Sequence, residues 1–372
     1  MHIETIAVHA GGEVDAATGA LAPPIHLSTT FEHGPACELP HGFLYIREGN
    51  PTQARLETAL AQLEGGAAAL AFSSGMGAGV VLLQSLEPGS HVIFPNDIYV
   101  DFRTVARDFF PKWRIEHTVV DMTQVPAVRD AVRPNTKLIW VETPSNPLMQ
   151  VVDIAAVAQL ARQASARTVV DNTFATPVLQ RPLELGADVS LYSSTKYFGG
   201  HSDVQGGALV FRTKDSYLEA VEHTRKMLGA VASPFNSWLI LRGLRSLVCR
   251  VEKHSANAMA VARALADSPA LAAVHYPGLQ SHSGHAVAKM QMRSFGGMLS
   301  IQVKGGRERA LAVASRVKLF VNATSLGGVE SLLEHRASSE GPSSTTPPDL
   351  LRLSVGLEHP DDLIADLMRA IG

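Results

Sequence analysis

Cysteine is scarce: Cys37 and Cys249 are the only two among 372 residues, and they stand far apart. They fit no paired-ligand spacing, which argues against a disulfide framework and makes a reducing compartment the default. An excess of one charge is missing too. Lys plus Arg number 32 against 35 Asp plus Glu, a net charge of −3, so there is no basic surplus to hold a nucleic acid by phosphate neutralisation. Small anionic ligands stay open, because they need only a local positive pocket. No run approaches the ~20 apolar residues of a membrane helix. The first thirty residues carry His, Glu, Asp and a Pro pair with no apolar block, which predicts no signal peptide. The expectation is a cytoplasmic protein with neither a membrane nor a nucleic-acid partner. Aromatic residues make up only 6%, so aliphatic and small residues dominate the 46% hydrophobic fraction, as in α/β proteins.

The length exceeds what one small core organises, so two domains or a large α/β unit are expected. Residues 1–44, rich in Gly, Pro, Thr and His, read as an extended arm that packs on a neighbouring subunit. In 45–232 the pattern becomes regular. "QARLETALAQLEGG" predicts a helix burying Leu56, Ala59, Leu60 and Leu63 and stopped by glycine. Short apolar runs follow ("AAALAF", "HVIF", "IEHTVV", "KLIWVE", "RTVVD", "DVSLY", "GALVF"), alternating with helical stretches such as "DIAAVAQLARQASA". This alternation predicts a mostly parallel sheet with helices on both faces and a ligand at the carboxyl ends of its strands. Residues 233–372 read as a smaller α/β domain. It has one long helix over "SWLILRGLRSLVCRVEKHSANAMAVARALADS" and strands "GMLSIQV" and "LLRLSVG". A closing helix buries Leu363, Ile364, Leu367, Met368 and Ile371. "ASSEGPSSTTPPD" reads as a loop.

The polar residues just past the strands carry the chemistry. "SSGMGAG" follows the first run and enters a helix, so its amides can meet an anion. "ETPSNP" brings Glu142 and Asn146, the next run ends in Asp171 and Thr173, and "DVSLY" delivers Ser193, Thr195 and Lys196. Taken singly, the glycine turn has a structural reading and Asp171 reads as a helix cap. Converging on one rim, they make an anion nest at Ser74–Gly77, hydroxyls, a carboxylate and a lysine. Pyridoxal phosphate uses all four: Asp171 keeps its ring nitrogen protonated and Lys196 anchors its aldehyde. Arg352 stands opposite the apolar face of Leu351, Leu353 and Val355. It needs an anion there, an internal carboxylate or a bound one. The histidines of "SHSGH" lack a third ligand, so no metal is expected.

"DVSLYSSTKYFGGHSD" resembles the lysine signature of the Cys/Met-metabolism family of pyridoxal-phosphate enzymes. "LSTTF", "GNPT", "LEGG", "SSGM", "ETPSNP", "VVDNTF", "LRGL", "SLGGVESL" and "RLSVGLE" resemble further family blocks in family order. The resemblance implies the aspartate-aminotransferase type of α/β fold and a homotetramer of two active dimers. It implies phosphate ligands at Gly75, Met76, Ser193 and Thr195, with Tyr45 and Arg47 reaching the phosphate of the adjacent subunit. Tyr99 is implied to stack on the ring and assist proton transfer, Asn146 to lie beside the ring oxygen and Thr173 beneath the ring. Lys196, Tyr99 and Asp171 are implied as catalytic. Arg352, Ser325, Asn146 and Tyr45 are implied to contact a small amino-acid substrate, with Arg352 on its α-carboxylate.

The activity implied is γ-replacement or γ-elimination on a sulfur amino acid or O-acylhomoserine, of the cystathionine γ-synthase or γ-lyase type. A thiol-releasing methionine γ-lyase and a cystathionine β-lyase are the alternatives, and a non-catalytic cofactor binder comes last. Thr324 departs from the family's glutamate before the serine, Asp101 stands where the family has a glycine pair, and "LLEHRASSEGPSSTTPPD" replaces the "MTH" loop. Leu326 replaces a tryptophan seen in some β-lyases. These departures fall at the distal end of the substrate, which Arg336 or Asp101 is expected to recognise.

Overall fold

The computed structural model describes residues 1–342 and 344–372. Strands β1 (Ala68–Phe72), β2 (His91–Pro95), β3 (Glu116–Val120), β4 (Thr136–Glu142), β5 (Arg167–Asp171), β6 (Val189–Tyr192) and β7 (Gly207–Phe211) build one sheet. Their spatial order is β1-β7-β6-β5-β4-β2-β3. β7 runs antiparallel to β1 and β6, and the other neighbours are parallel. The apolar runs are continuous because both faces are covered. Leu138 and Trp140 of β4 enter one core while Ile139 and Val141 enter the core on the opposite face.

The helix Pro51–Glu64 follows its sequence signals. Asn50 accepts from the amide of Thr52, Pro51 sits at the first position, and Gly65 ends the helix at φ 77°. Leu56, Ala59, Leu60 and Leu63 are each at most 1% exposed, and burial of one such leucine stabilises by roughly 2 kcal/mol. Helix Ile154–Gln163 is capped by Asp153.

Strands β8 (Leu271–His275), β9 (Met298–Val303), β10 (Val321–Asn322), β11 (Leu332–His335) and β12 (Leu350–Ser354) form a second sheet in the order β10-β11-β12-β9-β8. β10 and β11 are parallel and the rest antiparallel. Leu351, Leu353 and Val355 join its core, together with Leu363, Leu367 and Ile371 of the closing helix.

Three expectations change. The long helix after residue 233 is two helices, Pro234–Leu244 and Leu247–Ala266. The Gly243 carbonyl is taken by the amide of Ser246 at 3.2 Å and by Arg250 Nη2 at 2.7 Å. Gly243 also lies so close to the Phe198 carbonyl that an added Cβ would stand 2.2 Å from it. The helix Leu247–Ala266 then joins the cores: Leu247, Val248 and Val251 pack with Leu56 and Leu60, and Val261 and Leu265 pack under the second sheet. In the closing helix Met368 is exposed and Ile364 only partly buried. Asp366 and Ala370 take the buried positions, because the Asp366 carboxylate caps the amides of Lys318 and Leu319. The segment read as a loop contains a single helical turn, Arg336–Glu340; Ser343 lies outside the described residues.

Among the described residues no helix is long and apolar enough to cross a membrane. His285 Nδ1 pairs with the Pro277 carbonyl and His282 accepts from the Gly284 amide, so both histidines of "SHSGH" are engaged within their own loop.

Candidate active site

The carboxyl ends of β1, β4, β5 and β6 open into one cavity of about 580 Å³ that the second sheet closes. Helix Gly75–Gln84 begins at its floor. Ser74 Oγ accepts from the amide of Gly77, which leaves the first amides, those of Gly75 and Met76, without an intrahelical acceptor and facing the cavity with the positive end of the helix. The approach is close: a Cβ on Gly207 would stand 2.1 Å from the Ser74 carbonyl, and one on Gly75 would stand 2.9 Å from Ser193 Cβ. Only glycines allow this cradle. Ser193 and Thr195 line it, but the Thr195 hydroxyl is already bonded to the backbone of Gly206 in both directions.

Two carboxylates end adjacent strands, since Glu142 of β4 pairs in register with Asp171 of β5. Asp171 accepts from the Thr173 amide at 3.0 Å, and burial pushes its carboxyl up to about 6. Glu142 accepts from the amides of Tyr99 at 2.8 Å and Asn146 at 3.0 Å. Burial, and then the charge of Asp171, hold it well above the ordinary range. An aromatic ring carrying a protonated nitrogen would relieve Asp171, since an opposite charge favours the ionised carboxylate.

Lys196 Nζ donates to Ser325 Oγ at 2.8 Å. Burial, then the positive charge of Arg352, lower its ammonium to about 8. Ser325 sits at φ 84°, a strained conformation for a residue other than glycine. Its carbonyl accepts from Arg352 Nη2 at 3.0 Å. Arg352 also donates from Nη1 to Asn146 Oδ1 at 3.0 Å and from Nη2 to Glu334 Oε2 at 2.6 Å. Burial lowers its guanidinium to about 10, so it stays charged at neutral pH. Tyr99 lies beside Phe102 with ring centroids 6.4 Å apart. Burial and the neighbouring Asp101 carboxylate push its phenol up to about 12.

One cavity thus gathers Gly75, Met76, Tyr99, Asn146, Asp171, Thr173, Ser193, Thr195, Lys196, Ser325 and Arg352. Tyr45 and Arg47 are not among its lining residues. Tyr45 is 40% exposed and Arg47 donates to the Lys226 carbonyl. Sequence reasoning missed Glu334 and Glu340. Glu334 stands opposite Arg352 in the β11–β12 register. A glutamate inside the apolar run "SLLEH" was the available signal, because a buried carboxylate requires a cation.

The residues present fit pyridoxal phosphate: an anion cradle, a buried carboxylate for a ring cation, and an amine of lowered basicity lining the same cavity. Comparison with known proteins agrees. The family model described as Cys/Met metabolism PLP-dependent enzyme matches residues 4–372. The cystathionine gamma-synthase of Mycobacterium tuberculosis is 49% identical, covering 99% of this chain and 96% of that protein. The cystathionine beta-lyase of Coxiella burnetii is 41% identical over 100% of this chain and 98% of its own. The crystal structure of cystathionine gamma synthase from Xanthomonas oryzae in complex with cystathionine superposes with a TM-score of 0.96. That structure is 40% identical and covers 100% of this chain and 98% of that one.

Proposed function

The chain belongs to the family of Cys/Met metabolism PLP-dependent enzymes, and on that premise we propose that it performs γ-replacement, joining an O-acylhomoserine to cysteine as a cystathionine γ-synthase does. The observation that carries this reading is the placement of Lys196 Nζ, 2.8 Å from Ser325 Oγ, in one cavity with Asp171 and Arg352. The full-length likeness to the mycobacterial synthase supports it.

Pyridoxal phosphate supplies an aldehyde that an amine can join and, when protonated on its ring, a sink for electrons from neighbouring bonds. The amides of Gly75 and Met76, with the Ser193 hydroxyl, are proposed to hold its phosphate. Tyr45 and Arg47 do so from the neighbouring subunit. Asp171 holds the proton on the ring nitrogen, Tyr99 and Thr173 position the ring, and Asn146 lies at its oxygen. Arg352 binds the α-carboxylate of the substrate through a planar fork. Lys196, with an ammonium lowered to about 8, is partly neutral near pH 7 and takes the proton from the substrate's α-carbon. Tyr99, its phenol raised to about 12, keeps its proton at neutral pH and can donate it to the departing carboxylate. In the net reaction the Cγ–O bond of the ester breaks, a Cγ–S bond forms, and the acyl group leaves as a carboxylic acid. The thiol proton balances it.

The arm 1–44, the cofactor-binding part 45–232 and the C-terminal part 233–372 are proposed to assemble into a homotetramer in the cytoplasm. Leu21 and Leu27 of the arm are 73% and 68% exposed, which suits burial by another subunit. Both cysteines are exposed and unpaired, which suits a reducing compartment. Light scattering should give the mass of four chains; a monomer would contradict this.

The activity test mixes O-acetyl- or O-succinylhomoserine with cysteine and follows cystathionine by chromatography. Cystathionine that appears only with both substrates is the expected result. Conversion of added cystathionine to homocysteine, pyruvate and ammonia without synthesis would assign the chain to β-elimination instead.

A further inference from the structure

A chain of charges leads along the cavity wall away from Arg352. Arg352 Nη2 meets Glu334 Oε2 at 2.6 Å, Arg336 Nη1 meets the same oxygen at 3.1 Å, and Arg336 Nη2 meets Glu340 at 2.9 Å. With both terminal nitrogens on carboxylates and a side chain only 7% exposed, Arg336 is a poor receptor for another anion. Arg103 is the next cation. It stands 3.7 Å from Glu340, donates to the Thr345 hydroxyl and does not line the cavity. Glu334, Arg336 and Glu340 do line it, and so does Asp101, in the first turn of helix Val100–Asp108. Asp101 takes a hydrogen bond from the Tyr99 phenol, a neutral donor that leaves the charge of the carboxylate in place.

Glu334 and Glu340 thus offset Arg336 and Arg103, and Arg352 is kept for the α-carboxylate. Asp101 remains, so with Lys196 joined to the cofactor this wall is negative by the charge of Asp101. An anion brought against it would give up its water without gaining a cation and would face a like charge. We propose that the enzyme takes its homoserine ester with a neutral acyl group, as in O-acetylhomoserine, and that Asp101 turns away esters whose acyl group ends in a carboxylate, such as O-succinylhomoserine. The proposal rests on the γ-replacement reading and adds to it the class of leaving group. The Cγ–O bond breaks with its electron pair on acetate, the cysteine sulfur closes the Cγ–S bond, and the thiol proton ends on the acetate.

The loaded enzyme is given saturating cysteine with either O-acetyl- or O-succinylhomoserine, and kcat/KM for cystathionine is measured with each. The acetyl ester should be preferred by about tenfold or more, the scale on which one uncompensated like charge discriminates. Asp101→Asn and Asp101→Lys then change the charge of the wall stepwise at an exposed position. The acetyl-to-succinyl ratio should fall by about threefold or more at the first step and further at the second. Both esters release a carboxylate, so any effect passed on through Tyr99 cancels in the ratio. An unmodified enzyme that uses the succinyl ester as well as the acetyl ester overturns the proposal. So does a ratio that stays within about twofold from Asp101 through both variants, on the same scale. Absence of cystathionine from both esters overturns the γ-replacement reading itself, a separate and earlier failure.

Discussion

Replacing Lys196 by alanine should lower kcat/KM for cystathionine formation by about 10⁴-fold, the upper range for loss of a positioned base that is also a nucleophile. No neighbour can substitute. Arg352 and Arg336 also line the cavity, but guanidinium groups stay protonated and cannot accept the α-proton. Folding should not be weakened, and at neutral pH should be slightly strengthened. Burial disfavours the Lys196 ammonium, and among the described residues its one side-chain bond is to Ser325 Oγ. The alanine variant thus loses one hydrogen bond, worth about 1 kcal/mol, and one poorly solvated charge, whose removal favours folding by roughly 2–3 kcal/mol at neutral pH. Steady-state kinetics paired with thermal unfolding checks both halves. Activity within about tenfold of the unmodified enzyme would remove Lys196 from the chemistry.

Asp171→Asn should move activity and stability in opposite directions. With cofactor bound, the variant lacks the carboxylate that keeps the ring nitrogen protonated, and turnover should fall by roughly 10²–10³-fold, the scale of a broken buried ion pair. Without cofactor, the same change should stabilise the protein. The Asp171 carboxyl is raised from 3.8 to about 6 by burial, so the folded state holds its proton more tightly than the unfolded state does. That contribution is fully present below pH 3.8 and is lost as the pH rises through 6. Above pH 6 the cofactor-free protein carries a buried charge beside Glu142. Asparagine has no proton to lose, so the cofactor-free variant should gain roughly 1–2 kcal/mol at pH 7 and little near pH 4. Urea unfolding of the cofactor-free proteins at both pH values measures this. An equal or lower stability of the variant at pH 7 would contradict it.

Much of this site was legible in the sequence because strand ends announce it. Asp171, Ser193 and Lys196 each follow an apolar run, and a parallel sheet brings such ends to one rim. Arg352 was legible from the alternation of Leu351, Leu353 and Val355. Its partner Glu334 was not, because the pairing depends on the β11–β12 register across an intervening loop. The break at Arg245–Ser246 was hidden for a similar reason. The helical pattern continues through it, and the interruption comes from Arg250 and the close approach of Phe198, neither of which local periodicity shows. Met368 was misplaced because a hydrophobic stripe does not reveal that Asp366 is needed on the buried side to cap a turn. Asp101 and Arg336 could be noticed as departures. That both terminal nitrogens of Arg336 are held, by Glu334 and Glu340, is a property of side-chain packing.

The most direct test of the account is chemical trapping. The protein is reconstituted with pyridoxal phosphate, reduced with borohydride, digested and mapped by mass spectrometry. One modified peptide is expected, with the reduced cofactor on Lys196. A label on any other lysine, or no stable label at all, would contradict it.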